Sequence, residues 1–189
     1  MRTQLRNRRY VLAGIAVIAG TILGALEALG TAADQRDGHA GGNWLELTNT
    51  HTHQTLKVTF RDESGFIPTA LDQLENVLRD QRSGARHAMD PALYVLLADL
   101  AAAAGHEPRY EIISGFRSPD TNEKLRSRGG GQARNSQHIQ GRALDVRLKG
   151  VPCARLRDLA VTMHRGGVGY YARSDFVHVD TARVRYWEG

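Results

Sequence analysis

The sequence has few groups that could cross-link the chain or act as a covalent nucleophile. Its 189 residues include a single cysteine, Cys153, which excludes an internal disulfide. Cys153 stands in the segment V-P-C-A-R-L without a neighbouring histidine or aspartate, so we interpret it as a small buried residue at a helix start. No serine or cysteine lies in a convincing nucleophile motif, and no internal repeat is present. The fold must therefore be held by its core, with the help of any metal that binds.

The N-terminus has no acidic residue in its basic head and only a short apolar run behind it. Four arginines lie between positions 2 and 9, and residues 11–26 are apolar apart from glycines and Thr21. This run is shorter than the ~20 residues of a membrane-spanning helix. The pattern predicts a signal peptide over residues 1–33 and a flexible tether over 34–43. The Arg8–Arg9 pair resembles a twin-arginine export signal, and an uncleaved signal anchor is the alternative; both predict an exported protein of the periplasm or cell envelope.

Excess positive charge nearly disappears once this segment is set aside. The formal net charge of the chain is +5, but the residues after position 33 comprise 21 basic and 19 acidic side chains, a net charge of +2. Nucleic-acid-binding domains carry a basic stripe, and none remains here. We therefore exclude nucleic acid as a partner and expect membrane contact only through an uncleaved N-terminal segment. The length that remains predicts one folded domain over residues 44–189.

The order of helical and strand patterns predicts an α+β fold. Alternating residues at 44–48 and 56–60 predict a β-hairpin. Helices are predicted from Thr69, from Asp90 to Gly105, over 118–127, and through Leu156 to a stop at Gly166. Further strands are predicted over 110–114, 142–148, 168–171 and 176–181. The glycine-rich loop near 130 is not followed by the lysine and helix of a phosphate-binding loop, which excludes that motif.

Two strand segments carry the residues with the clearest chemistry. The segment S-Q-H-I-Q-G-R-A-L-D places His138 seven residues before Asp145, with a glycine turn between them. Strand alternation lets Asp145 face a cleft while its neighbours pack the core. In F-V-H-V-D the same alternation puts His178 and Asp180 on one face. Two imidazoles and a carboxylate could hold zinc with a fourth position left for water. From the spacing alone, an equal alternative is that these polar side chains only hydrogen-bond to one another on an interior face of the sheet and bind no metal.

Other histidines offer weaker candidates. His51 and His53 share one face of an extended segment and form a possible metal pair, but we favour polar turn residues because no carboxylate or third histidine is near in sequence. His39 lies in the tether, and His87 and His106 flank the second helix as expected surface or capping residues. His164 is expected near the exposed end of the last long helix.

Several ordered motifs resemble one known family. They are S-G-F-R-S-P-D-T-N-E-K-L-R, the segment from His138 to Arg147, and G-G-V-G-Y-Y-A-R-S-D-F-V-H-V-D-T, together with an early L-T-N-T-H-T. Over residues 44–189 the chain resembles the YcbK/MepK-like murein endopeptidase branch of the lysostaphin / D-Ala-D-Ala peptidase / hedgehog superfamily. The resemblance implies a small antiparallel sheet carrying a zinc site and packed against helices, with His138, Asp145 and His178 as metal ligands.

The resemblance also suggests roles around the metal. Arg117 corresponds to an arginine near the reacting carbonyl, where a guanidinium stabilises the developing oxyanion; a structural salt bridge is the alternative. Ser136 would contact substrate or support a ligand. Asp175 stands three residues before the last histidine, where relatives carry a glutamate, and is our preferred general base. Asp180 is the alternative base or the group that orients a ligand, and His164 is a third candidate.

The activity implied by the resemblance is zinc-dependent hydrolysis of an amide bond in peptidoglycan peptide cross-links. A D,D- or L,D-carboxypeptidase acting on stem peptides is an alternative within the same chemistry. A non-catalytic, zinc-containing wall-binding domain is the alternative from another class, because aspartate at position 175 is shorter than the usual glutamate.

Overall fold

The computed structural model describes residues 42–129 and 132–189. The strands of this part of the chain are β1 (Trp44–Asn49), β2 (Thr55–Thr59), β3 (Arg61–Asp62), β4 (Gly65–Phe66), β5 (Arg109–Ser114), β6 (Ala143–Leu148), β7 (Gly167–Tyr171), β8 (Phe176–Asp180) and β9 (Arg185–Glu188). Its helices are α1 (Pro68–Val77), α2 (Ala92–Ala104), α3 (Pro119–Ser127) and α4 (Cys153–Met163). The α+β prediction is confirmed.

Seven strands form one mixed sheet in the order β2-β1-β5-β6-β8-β7-β9. The predicted antiparallel sheet is wrong in two places, because β1 pairs with β5 and β7 pairs with β9 in parallel. Parallel neighbours need a crossover connection, and α1 and α2 lie in the connection that returns the chain beside β1. Strand β9, which was not predicted, extends the sheet beyond β7.

Alternating side chains divide the central strands into an apolar and a polar face. Residues such as Leu45, Ile112, Leu144 and Val177 join one buried cluster with side chains of α1, α2 and α4. Burial of α2 is not confined to one stripe of the helix, because ten of its 13 residues are buried. A helix that is apolar all round belongs inside a core. The opposite face of β6 and β8 is left for polar residues.

Two helix ends differ from their sequence signals. Helix α1 begins at Pro68, one residue before the predicted start at Thr69, and has no side-chain cap. Proline suits a first helical position because its missing N–H would be unpaired there. Helix α4 ends at a left-handed His164 rather than at Gly166, which instead leads into β7. The predicted stop of α2 at Gly105 and the buried thiol at the start of α4 are confirmed.

The predicted signal segment 1–33 and all but the last two residues of the tether 34–43 lie outside the described residues. Across the two described ranges, the helices all fall short of the length and apolar character that crossing a membrane demands.

Candidate metal centre

Strands β6 and β8 and the loop before β6 bring three predicted ligands together. His138 Nε2 lies 3.2 Å from His178 Nδ1 and 3.3 Å from Asp145 Oδ1, and the last two atoms are 2.8 Å apart. Asp145 and His178 are directly paired across the two antiparallel strands. All three residues are buried. The local segments that were far apart in sequence thus converge on one point of the polar sheet face.

A backbone carbonyl selects the tautomer of His138. Its Nδ1 lies 2.7 Å from the carbonyl oxygen of Gly115, which can only accept, so Nδ1 carries the hydrogen. The lone pair of Nε2 therefore points toward Asp145 and His178. The turn after His138 depends on Gly141, whose φ of +65° and approach to the carbonyl of Ala88 leave no place for a Cβ.

A carboxylate selects the tautomer of His178 in the same manner. Nε2 of His178 donates to Asp180 Oδ2 at 3.0 Å, which leaves Nδ1 to face Asp145. Asp180 is fully buried and also accepts hydrogen bonds from the backbone N–H groups of Gly167 and Ala182 and from the Arg185 guanidinium. Carboxylate partners of this kind fix the ring orientation of metal-binding histidines.

The three inward atoms fit a metal ion in both size and chemistry. Ligand atoms about 2.0–2.1 Å from a tetrahedral zinc ion lie roughly 3.3 Å apart, close to the 3.2 Å and 3.3 Å measured from His138 Nε2, whereas His178 Nδ1 and Asp145 Oδ1 are closer together at 2.8 Å. Two imidazole lone pairs and one carboxylate oxygen are all acceptors, and a cation between them would satisfy all three. Within the described residues, these three form the one group of ligand side chains close enough together to hold a metal.

Electrostatics keeps the carboxylate ionised and the neighbouring imidazole basic. Burial alone would raise the pKa of Asp145, but the adjacent His138 and His178 outweigh it and hold this pKa well below its usual range. For His178, burial lowers the pKa, yet the adjacent carboxylates of Asp145 and Asp180 raise it overall above its ordinary value. The carboxylates therefore favour positive charge at this point, which a bound cation could supply.

Arg117 lies beside this group on the segment that follows β5. One of its Nη atoms is 3.9 Å from Asp145 Oδ2, and the guanidinium also donates to Asn122 and Ser114 at 3.3 Å. The residue is 8% exposed and lines the cleft above the metal residues. Burial lowers its pKa, partly opposed by the charge of Asp145. Arg117 is thus held where it can meet a substrate oxygen.

Asp80, a buried carboxylate that was not among the predicted site residues, anchors the segment that carries Arg117. Asp80 Oδ2 accepts hydrogen bonds from the Ser118 backbone at 3.0 Å and from its hydroxyl at 2.6 Å, while Oδ1 accepts from the Arg82 N–H. Burial opposes ionisation of Asp80, but these donors hold its pKa well below the usual range. Asp80 therefore ties the loop after α1 to the start of α3.

Replacing Asp80 by asparagine is expected to lower the free energy of unfolding by about 2–3 kcal/mol at pH 7, because a buried amide would face donors that need an acceptor. A depressed native pKa contributes stability above the unfolded value of about 3.9, and that contribution is lost as the pH falls. Urea unfolding at pH 7 and pH 3 should show a smaller difference between the two proteins at pH 3, with part of the difference remaining because the folded-state pKa of Asp80 lies lower still. Asp72→Asn, which removes an exposed ion pair with Arg86, is the control and should change little. A difference that persists undiminished at pH 3 would contradict this account.

Two side chains of β9 contact the hydrogen-bonded pair of Asp180 and His178. Arg185 binds the Asp180 carboxylate, and the Trp187 ring lies 5.1 Å from the ring of His178. A Cβ on Gly167 would lie 2.3 Å from Arg185, and one on Gly169 would lie 2.5 Å from the Trp187 ring. The absence of side chains on Gly167 and Gly169 therefore lets Arg185 and Trp187 of β9 extend across β7 to Asp180 and His178 of β8. Sequence reasoning missed Arg185 and Trp187; the glycine spacing was the available signal.

The preferred base, Asp175, is not brought to the metal residues. It occupies the turn between β7 and β8 with a φ of +49°, and its side chain is 70% exposed. Its carboxylate lies 3.5 Å from Arg147 Nε and accepts a hydrogen bond from the Cys153 thiol; burial and this contact raise the pKa of Cys153 to about 12. Asp175 does not line the cleft.

The remaining histidine candidates lie elsewhere, and Ser136 lies at the site. His51 is in the β1–β2 turn, where its Nε2 donates to the Ile113 carbonyl at 3.0 Å, and His53 follows with a φ of +57°. His164 is the exposed end residue of α4. Ser136 lines the cleft and accepts from the His138 N–H at 3.4 Å. Neither His51 nor His53 belongs to the cluster of possible ligands.

The metal residues open into a cleft of about 710 Å³ with one aromatic and one polar side. The aromatic side consists of Trp187 and of Tyr171 stacked on Phe176, with ring centroids 4.5 Å apart. Trp187 donates its indole N–H to the Tyr171 hydroxyl at 3.0 Å. The polar side is formed by Gln132, Asn135, Ser136 and Gln137. An open cleft of this size admits an extended polymer segment to the ligand atoms.

Comparison with known proteins agrees with this geometry. A family model described as peptidoglycan L,D-endopeptidase MepK matches residues 38–187. The MepK protein of Escherichia coli K12 is 38% identical over 181 residues, covering 96% of this chain and 97% of the relative. A probable MepK of Haemophilus influenzae is 39% identical over 146 residues, covering 77% and 78%. No solved structure matches this chain. This protein belongs to the peptidoglycan L,D-endopeptidase MepK family of peptidases.

Proposed function

We propose that this protein hydrolyses peptide bonds in the cross-links of peptidoglycan, with zinc held by His138, Asp145 and His178. The observation that carries the proposal is the triangle of buried ligand atoms at the base of an open cleft. The family relationship supports the substrate, because the relatives are named as peptidoglycan L,D-endopeptidases. The ligand set of two imidazoles and one carboxylate supports zinc, which favours such donors and keeps a position open for catalysis.

Residues of the chain prepare the cleft for attack on an amide carbonyl. A bound zinc ion would polarise the carbonyl and lower the pKa of a coordinated water. Asp180 orients the imidazole of His178, and the Gly115 carbonyl orients that of His138. Arg117 presents a fixed guanidinium that stabilises negative charge developing on the carbonyl oxygen. Ser136 and its neighbours offer polar contacts to the peptide backbone.

The proposed substrate requires action in the cell envelope. Residues 1–33 have the composition of an export signal, which supports a place in the periplasm or at the membrane surface. Only the peptide part of the polymer needs to enter the cleft, since the ligand atoms lie at its base. We propose that peptide stems joined by a cross-link are the partner that this cleft binds.

Digestion of defined muropeptides tests the proposal. The purified domain with zinc should convert cross-linked dimers into monomers, and a chelator should stop the reaction until zinc is returned. Mass spectrometry of the products identifies the bond that is cut. Release of a free terminal amino acid with the dimers left intact would instead indicate a carboxypeptidase. Stoichiometric zinc without any product would indicate a wall-binding domain and end the enzymatic proposal.

A further inference from the structure

Arg147 makes several contacts with the turn between β7 and β8 (residues 172–175), which also receives the hydrogen bond from the Cys153 thiol to Asp175. Arg147 donates from Nη2 to the Ser174 carbonyl at 3.1 Å and from Nε to the Asp175 carbonyl. Its Nη1 donates to Glu111 Oε2 at 3.2 Å, across the β5–β6 pair. All three nitrogen atoms of the planar guanidinium therefore donate hydrogen bonds, and together they link the two carbonyl groups of the turn to Glu111 on β5.

This turn carries one wall of the cleft. Tyr171 is the last residue of β7 and Phe176 is the first of β8, and their rings stack at the cleft side together with Ser174. The turn is exposed, and its one residue with a positive φ is Asp175. Tyr171 and Phe176 are paired across β7 and β8, and the contacts of the turn to Arg147 add to that pairing in positioning the two rings.

We propose that Arg147 is a positioning residue that holds this turn in place for substrate binding. Asp175 is the residue of the turn that Arg147 binds, and it does not act as the general base that accepts a proton from water. The proposal rests on the proposed hydrolysis only for its kinetic readout. Asp175 contributes through its backbone conformation, its carbonyl and its carboxylate 3.5 Å from Arg147 Nε. Replacing either Arg147 or Asp175 should therefore increase the mobility of the turn next to Tyr171 and Phe176 and leave the three candidate metal ligands unchanged.

Two residues and one control make the test. Arg147→Gln should raise KM for a cross-linked muropeptide dimer by about two- to fivefold, as expected for partly exposed contacts, with kcat lowered less than about threefold. Asp175→Asn and Asp175→Gly should resemble it, because both residues tolerate a positive φ, whereas Asp175→Ala should be worse than Asp175→Gly. Arg126→Gln, which breaks an exposed arginine–glutamate pair in α3, is the matched control.

The opposing outcomes are distinct. A general base lost at position 175 would lower kcat by about 10² or more in all three variants alike, with zinc retained, and that result would overturn the proposal. Independently of turnover, Arg147→Gln should speed amide hydrogen exchange in residues 172–176 relative to the wild type and to Arg126→Gln. Unchanged exchange there would also overturn it. Because exchange needs no substrate, an inactive wild type would count against the proposed function alone.

Discussion

His138→Ala is expected to abolish stoichiometric zinc binding and to lower turnover of cross-linked muropeptides by at least about 10³-fold. The Nε2 atom of His138 closes two sides of the ligand triangle, so its loss leaves only Asp145 and His178. A Lewis-acidic metal contributes several kcal/mol to transition-state stabilisation, and each 1.36 kcal/mol is about tenfold in rate. Metal analysis after dialysis and steady-state rates at fixed free zinc measure both effects.

Thermal unfolding separates loss of metal from loss of fold. Zinc should raise the melting temperature of the wild type, because a ligand that binds only the native state stabilises it, and it should leave His138→Ala unshifted. His164→Asn is the control, since asparagine also suits the left-handed end of α4. It should bind zinc and turn over like the wild type, which also tests His164 as a base. A His138→Ala protein that retains one zinc and its activity would refute this metal centre.

Arg117→Gln is expected to lower kcat by about 10²–10³-fold while zinc remains bound, which is the usual effect of losing one oxyanion donor. The guanidinium is held by Asn122 and Ser114 beside the Asp145 carboxylate. Arg117→Lys keeps the charge but loses the fork of donors, so we expect an intermediate rate. Rates on a defined dimer, zinc content and urea unfolding should be measured on the same preparations.

The alternative role for Arg117 is a salt bridge that only stabilises the fold or the ligand Asp145. In that case Arg117→Gln would weaken zinc binding or lower the free energy of unfolding, and kcat at saturating zinc would stay within about threefold of the wild type. Arg86→Gln, which breaks an exposed pair with Asp72, controls for the loss of one positive charge. The ratio of kcat effect to stability effect therefore distinguishes the two roles.

The three side chains that could hold a metal were predictable because strand alternation and donor chemistry are local and because the family resemblance points to the same three residues. Strand alternation places Asp145 on the polar face of β6 and His178 with Asp180 on one face of β8, and the contact between the last two agrees. The motif around Gly141 indicates the turn that brings His138 back. What these patterns do not contain is the pairing of Asp145 with His178, which depends on the register of β6 with β8.

The contacts of Asp175 and Asp80 could not be predicted, because both residues bind partners that are distant in sequence. The family resemblance, in which a glutamate stands three residues before the last histidine, made Asp175 a candidate base, but its contact to Arg147 comes from another strand and is not visible in that motif. Asp80 lies in a loop with no periodic pattern, and its importance comes from the donors of Ser118, 38 residues away. Long-range contacts of this kind are decided by packing rather than by neighbours in the chain.

By itself, the sequence determined most of the helices and strands and the faces of those strands, because these follow from periodicity over short stretches. The three side chains suited to a metal came from their donor chemistry together with the family resemblance. Only the tertiary structure decided that the sheet is mixed, that β9 brings Arg185 and Trp187 over Asp180 and His178, and that Asp175 meets Arg147. The physical reason is that strand order and side-chain partners depend on which apolar surfaces bury one another across the whole domain, a property that no short segment contains.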